Sequence, residues 1–210
     1  MKHLPFVAIM AGLLASATPL HAQLFYVGLR GGAGIPTGSF SEISSTSEAG
    51  VLDGAKTGFG YGLDAGINLG PLGFYAGFDR MRFDCAEQSC GARDSKYKLQ
   101  GASAGVRLSV PLFPFGKPWV KGGVTFNELD AEFGDASSAP QFTTERSPGY
   151  ELGAGIDIPI AGGFFSVTPQ VRYVGQKLDY RIPGVTTGGE VSTAANYYTI
   201  DLGLRLRSPL

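Results

Sequence analysis

The chain has 210 residues, a formal net charge of −1, 32 glycines and a mean hydropathy of +0.07. That near-neutral balance excludes a nucleic-acid footprint. The only two histidines, His3 and His21, fall within residues 1–22, so the rest of the chain has no imidazole for a Ser-His or Cys-His nucleophile or for a metal, and no cofactor is expected.

Residues 1–22 read as a secretory signal peptide. Lys2 and His3 form a short polar start, Leu4 to Leu14 is apolar, and Leu20-His21-Ala22 ends on a small residue suited to cleavage. The apolar run is well short of the ~20 residues that a helix needs to cross a bilayer. Residues 23–210 are then a single exported domain, and no later run is apolar enough to span as a helix.

The exported part alternates apolar and polar residues with period two, the signature of strands with unlike faces. The first strand, from about Leu24 to Gly34, sets Phe25, Val27 and Leu29 against Tyr26, Gly28 and Arg30. A polar segment from Ile35 to Lys56 follows. The second strand, Thr57 to Leu69, sets Phe59, Tyr61 and Leu63 against glycines and Asp64, and ends in a Gly70-Pro71 turn. The third, Leu72 to Asp84, turns Phe74, Ala76 and Phe78 one way and Tyr75, Gly77 and Asp79 the other; the alternation fails from Arg80 to Asp84. After a loop from Asp84 to Ser95, the fourth strand runs from Lys96 to Val110. Its Tyr97 and Leu99 stand on the wrong parity, which predicts a bulge near Gln100.

A compact Pro111–Lys117 turn leads to the fifth strand, Pro118 to Glu132. A loop from Phe133 to Gly149 precedes the sixth, Tyr150 to Ile160. The Ala161-Gly162-Gly163 turn precedes the seventh, Phe164 to Leu178. A fourth loop, Tyr180 to Ala194, leads to the last strand, where Tyr198, Ile200, Leu202, Leu204 and Leu206 oppose Thr199, Asp201, Gly203, Arg205 and Arg207.

Eight strands thus alternate with four long polar loops and three short turns. This is the pattern of an all-β, eight-stranded antiparallel transmembrane barrel of up-and-down type, with short periplasmic turns and long extracellular loops. Aromatics fall at strand ends on the apolar face, as interfacial girdles require: Phe59, Phe126, Tyr150, Tyr173 and Tyr198 at one rim, Phe25, Phe74 and Phe165 at the other. A soluble lipocalin-type barrel would put large apolar residues inside and polar ones outside. Here the charged face is also the glycine-rich one, which suits the crowded interior of a narrow barrel.

The sequence resembles the small eight-stranded outer-membrane barrels of the OmpA/OmpX type, most clearly in its opening LFYVGLRGGAGIPTGSF and closing YYTIDLGLRLR. The resemblance implies the outer membrane of a Gram-negative-type bacterium, contact with its lipid, and passage through the barrel-assembly machinery. The closing strand, through Tyr198, Ile200, Leu202, Gly203, Leu204 and Leu206, matches the assembly signal of that family. It departs in ending on Ser208-Pro209-Leu210, where the family commonly ends on an aromatic.

Parity points eleven charged side chains into the lumen: Arg30, Asp64, Asp79, Arg107, Lys121, Glu151, Asp157, Arg172, Asp201, Arg205 and Arg207. Six are basic and five acidic, a balance that reads as mutually paired filling rather than as a single-sign selectivity ring. Cys85 and Cys90 are spaced too widely for CxxC redox chemistry, and in an exported chain they read as a small structural disulfide. Gly31–Gly38 lacks the Gly-Lys-Ser/Thr ending of a phosphate loop, and Gly54-Ala55-Lys56-Thr57 has alanine where glycine is required. An enzyme is not expected: His-dependent lipid-trimming chemistry is excluded, which leaves a lipid-modifying outer-membrane enzyme built on other residues as the third and least favoured reading. The reading is a structural or surface-interaction protein acting through its loops. A narrow porin for small solutes is the alternative, and the extracellular ligand is not named by any motif.

Overall fold

The computed structural model describes residues 25–41, 54–86, 95–110, 113, 115–132, 142–144, 146–160, 164–181 and 190–207. Ten strands form one sheet: β1 (Phe25–Thr37), β2 (Ala55–Leu69), β3 (Leu72–Cys85), β4 (Lys96–Ser109), β5 (Lys117–Glu132), β6 (Phe142–Thr143), β7 (Ser147–Ile160), β8 (Phe165–Arg181), β9 (Glu190–Ala194) and β10 (Asn196–Arg207). Neighbours in sequence pair antiparallel, and β10 pairs with both β8 and β1, so the sheet closes into an up-and-down barrel of eight walls. The short β6 extends the β5 edge, and β9 continues the β10 wall in the same register against β8. A 3-10 turn, Gly38–Phe40, follows β1.

The registers fix the geometry. Stepping across partners from Tyr26 passes Gly66, Tyr75, Gly105, Gly123, Glu151, Val174 and Tyr197, and returns to the first strand at Pro36, ten residues further on. With a rise of ~3.3 Å per residue and ~4.8 Å between strands, eight walls with that stagger tilt by about 40° at a backbone radius of about 8 Å. Long side chains from opposite walls therefore meet at the axis.

The alternation sorts as the sequence indicates. Phe25, Val27, Leu29, Leu63, Phe74, Val120, Leu152, Ile200, Leu202 and Leu204 are exposed on the outside, while Arg30, Arg107, Glu151, Asp157, Arg172, Asp201, Arg205 and Arg207 are buried inside. Interior glycines make room for large side chains. A Cβ on Gly105 or Gly123 would lie 2.8 or 2.5 Å from the Tyr75 hydroxyl, and one on Gly155 would lie 2.6 Å from the Trp119 ring.

Two expectations are corrected. There is no bulge near Gln100, because the β3–β4 and β4–β5 registers run unbroken through residues 96–100. Nor does β3 lose its alternation after Asp79: Met81, Phe83 and Cys85 stay inside, and Arg82 and Asp84 stay outside. The register holds and the polarity inverts. Above the membrane the outside meets water, so the apolar residues of each strand move to the interior. The register shift that does occur in this region lies in β2, between Ala55 and Gly58. Strand also extends into two predicted loops, as β6 and β9.

Candidate functional site: a three-tiered barrel interior

The lowest tier, near the short turns, is built on Asp157 of β7. Its Oδ2 accepts from Arg107 Nη2 at 2.6 Å and Arg207 Nη2 at 2.5 Å. Its Oδ1 accepts from Arg205 Nη1 at 2.7 Å, Trp119 Nε1 at 3.0 Å and Thr168 Oγ1 at 3.1 Å. One carboxylate thus faces three guanidiniums. Aromatic faces take up part of the excess charge: Arg107 lies 4.4 Å from the Trp119 ring centroid, and Arg205 lies 4.4 Å from that of Tyr26.

Halfway up, Arg172 of β8 gathers carboxylates from three other walls. Its Nε donates to Asp201 at 2.9 Å, and its Nη atoms reach Asp79 at 3.1 Å and Glu151 at 3.4 Å. Arg30 grips Asp79 at 2.7 Å and Asp64 at 2.6 Å. Lys121 Nζ pairs with Glu151 at 3.0 Å and sits 4.6 Å from the Tyr75 ring centroid. The Tyr75 hydroxyl donates to the other Glu151 oxygen at 2.7 Å. Arg205 Nη2 links the tiers through Asp64 at 3.5 Å. The gap left beside Arg30, Asp64, Gln170 and Arg205 is about 10 Å³, room for at most a single water.

All eleven lumenal charges read from parity therefore enter one of these ion pairs. Buried pairs of this kind are costly to break singly, because the survivor is left as an uncompensated charge. The residues that parity alone did not single out are the neutral members: Tyr26, Tyr75, Trp119, Thr168, Gln170 and Thr199. Their inward parity was readable, but their partners depend on the stagger of the barrel.

The uppermost tier is apolar. Phe40, Met81, Phe83, Tyr97, Leu99, Leu129, Ala131, Val174, Leu178 and Tyr197 form one buried cluster inside the extracellular end. Phe40, carried on the 3-10 turn, packs edge-on against Phe83 with centroids 5.3 Å apart, and Tyr97 lies at 5.8 Å. Around the outside at this height, Lys98 pairs with Glu132, and Arg146 Nε meets Glu128 at 3.0 Å. The sequence signal was the simultaneous swap of polarity on adjacent strands. Just below, Tyr150, Tyr173 and Tyr198 form an outward cluster with centroids 6.0 and 4.9 Å apart, as a membrane rim requires.

Of the two cysteines, Cys85 is buried in this upper cluster with its Sγ 3.5 Å from the Tyr97 hydroxyl; Cys90 lies outside the described residues. The candidate assembly residues Tyr198, Ile200, Leu202, Leu204 and Leu206 all face outward on β10, and Gly203 is on its inner parity.

With this geometry in hand, comparison with known proteins is decisive at the family level. Residues 6–205 match the family model described as "Outer membrane protein beta-barrel domain". The chain belongs to the outer-membrane β-barrel domain family. Its home is the outer membrane of Gram-negative bacteria, with its apolar belt in lipid. The crystal structure of Neisserial surface protein A is similar at a TM-score of 0.61 and 14% identity, covering 88% of this chain and 97% of that one. A major outer membrane protein from Thermus thermophilus is similar at 0.50 and 14%, covering 88% and 99%. The attachment invasion locus protein Ail of Yersinia pestis is similar at 0.49 and 10%, covering 89% and 100%. At these identities the likeness is one of fold. No curated protein matches in sequence.

Proposed function

We propose that this outer-membrane β-barrel protein is a closed anchor, not a conduit, and that it works at the cell surface through the loops between β1 and β2, β3 and β4, β5 and β7, and β8 and β10. The observation that carries this reading is the stacking of three occupied tiers along one narrow axis. Two tiers consist of interlocked ion pairs, and the third is a mainly apolar cluster whose few polar atoms, such as the Tyr97 and Tyr197 hydroxyls, are packed among Phe40, Phe83, Leu99, Leu129 and Leu178. A pore would need a lining of one predominant sign or a continuous polar path. The mixed signs favour packing, and the apolar tier interrupts the path.

Residues 1–22 serve as the export signal, residues 23–210 as the barrel domain, β10 as the signal read by the assembly machinery, and Cys85–Cys90 as a loop staple. No residue is assigned a catalytic role.

The test is single-channel conductance in a planar bilayer, with protein whose folding is verified by its boil-dependent gel shift. A silent, folded barrel is the expected result. Steady, reproducible ionic steps would overturn closure and turn attention to Lys121 and Asp157 as lining residues of a narrow porin.

A further inference from the structure

Above the aromatic rim the outer face of β3 and β4 is basic. Arg80 and Arg82 follow Phe78 on the outward parity of β3, and Lys98 stands directly opposite Arg82. The acids on this face are taken up by its other polar groups: Glu132 pairs with Lys98, Asp130 also stands opposite Lys98, Asp84 stands opposite Lys96, and Glu128 accepts from Gln100 and Arg146. Among the described residues, neither Arg80 nor Arg82 has an ion-pair partner, and Arg80 Nε is buried without a hydrogen-bond acceptor. Beside them on β2, Tyr61 lies opposite Arg80 and Phe59 opposite Arg82. Phe59, Tyr61 and Phe78 are all exposed on the lipid side. A cationic shelf thus rests on an aromatic floor, at the height where hydrocarbon gives way to headgroups.

We infer that Arg80 and Arg82 hold a phosphate of an outer-leaflet lipid, whose acyl chains lie against Phe59, Tyr61 and Phe78. An anion at Arg80 and Arg82 supplies the counter-charge that no described side chain gives them. The guanidinium fork matches phosphate oxygens, and it reaches them from a wall half immersed in the bilayer. A soluble anion would use the cations but not the floor. That difference selects a lipid as the occupant.

The experiment uses the full exported domain in phosphatidylcholine nanodiscs that contain either diphosphoryl lipid A or its phosphate-free counterpart. Lipid retained after detergent extraction is counted by native mass spectrometry. The wild type is expected to retain the phosphorylated lipid about tenfold better, the effect of a charge-assisted contact. Arg80→Gln/Arg82→Gln should lose that preference, and Arg146→Gln/Lys177→Gln on other walls should keep it. Equal retention of the two lipids by the wild type overturns the assignment, as does an unchanged preference in Arg80→Gln/Arg82→Gln. Millimolar inorganic phosphate should leave the lipid in place; displacement would make the site one for free phosphate. The gel shift verifies that each variant is folded.

Discussion

Arg172 shows what a single interior side chain carries. It joins Asp79, Glu151 and Asp201 from three other walls, and it is buried. Arg172→Ala is expected to destabilise the barrel by about 3–5 kcal/mol, because three carboxylates lose their shared partner. Arg146→Ala, which removes an exposed pair with Glu128, should cost at most ~1 kcal/mol. Guanidinium titration followed by gel shift and tryptophan fluorescence reads both, and equal midpoints would refute the buried network. Gly123→Val tests the room made for Tyr75. Its side chain would meet the Tyr75 hydroxyl and the Ala104 backbone, so it should lower the yield of folded barrel. At this scale the sequence was legible up to direction. Period two told which charges face inward, but not that Arg30 reaches Asp79 rather than another acid, since that choice depends on the stagger between strands distant in sequence.

Within a strand, the decisive variable is what lies outside the wall at each height. Leu202 faces lipid near the middle of β10, so Leu202→Arg should cost about 2–4 kcal/mol. Asp201→Asn, one residue away on the other face, still accepts hydrogen bonds from Thr199 and Gln170 and should cost less. Reversed rankings would mean that inside and outside had been exchanged. The upper ends of β3, β4 and β5 obey the opposite rule. Leu99 is fully buried in the interior and Lys98 lies on the outer face, so Leu99→Ala should cost about 2–5 kcal/mol and Lys98→Ala at most ~1. A bulge at Gln100 would have predicted a lipid-facing Leu99 with little to lose. Tyr97 and Leu99 were misread because a strand crossing from lipid to water keeps its register while its solvent changes. Parity alone cannot distinguish that from a slipped register; the same swap at Met81, Phe83, Leu129 and Ala131 can.

For the whole molecule, the eight-walled architecture was readable from strand count and from the strict interleaving of long and short connections. The extracellular apolar cluster was not, because Phe40 and Val174 join it from segments whose periodicity is too short or too mixed to mark them. A structural Cys85–Cys90 link predicts that protein purified without reductant and then unfolded takes up no alkylating reagent, read as an unchanged intact mass. Two added alkyl groups would remove the staple. The link would tie Cys85, a member of the upper cluster, to a residue five positions on, so reduction should leave the membrane belt intact and act on the extracellular end.

The stagger of ten residues also governs how such a barrel can be made. The seam between β1 and β10 joins Tyr26 to Arg207, nearly the two ends of the described chain. The pairs Arg205–Asp64 and Arg172–Asp79 span 141 and 93 residues. A partly assembled sheet would hold these charges without counter-charges while its outer face was already in hydrocarbon, and both edges would carry unpaired amides. Each missing wall therefore penalises every wall already in place. Intermediates are disfavoured from both faces at once, and closure becomes a single cooperative event set off by the last strand to arrive.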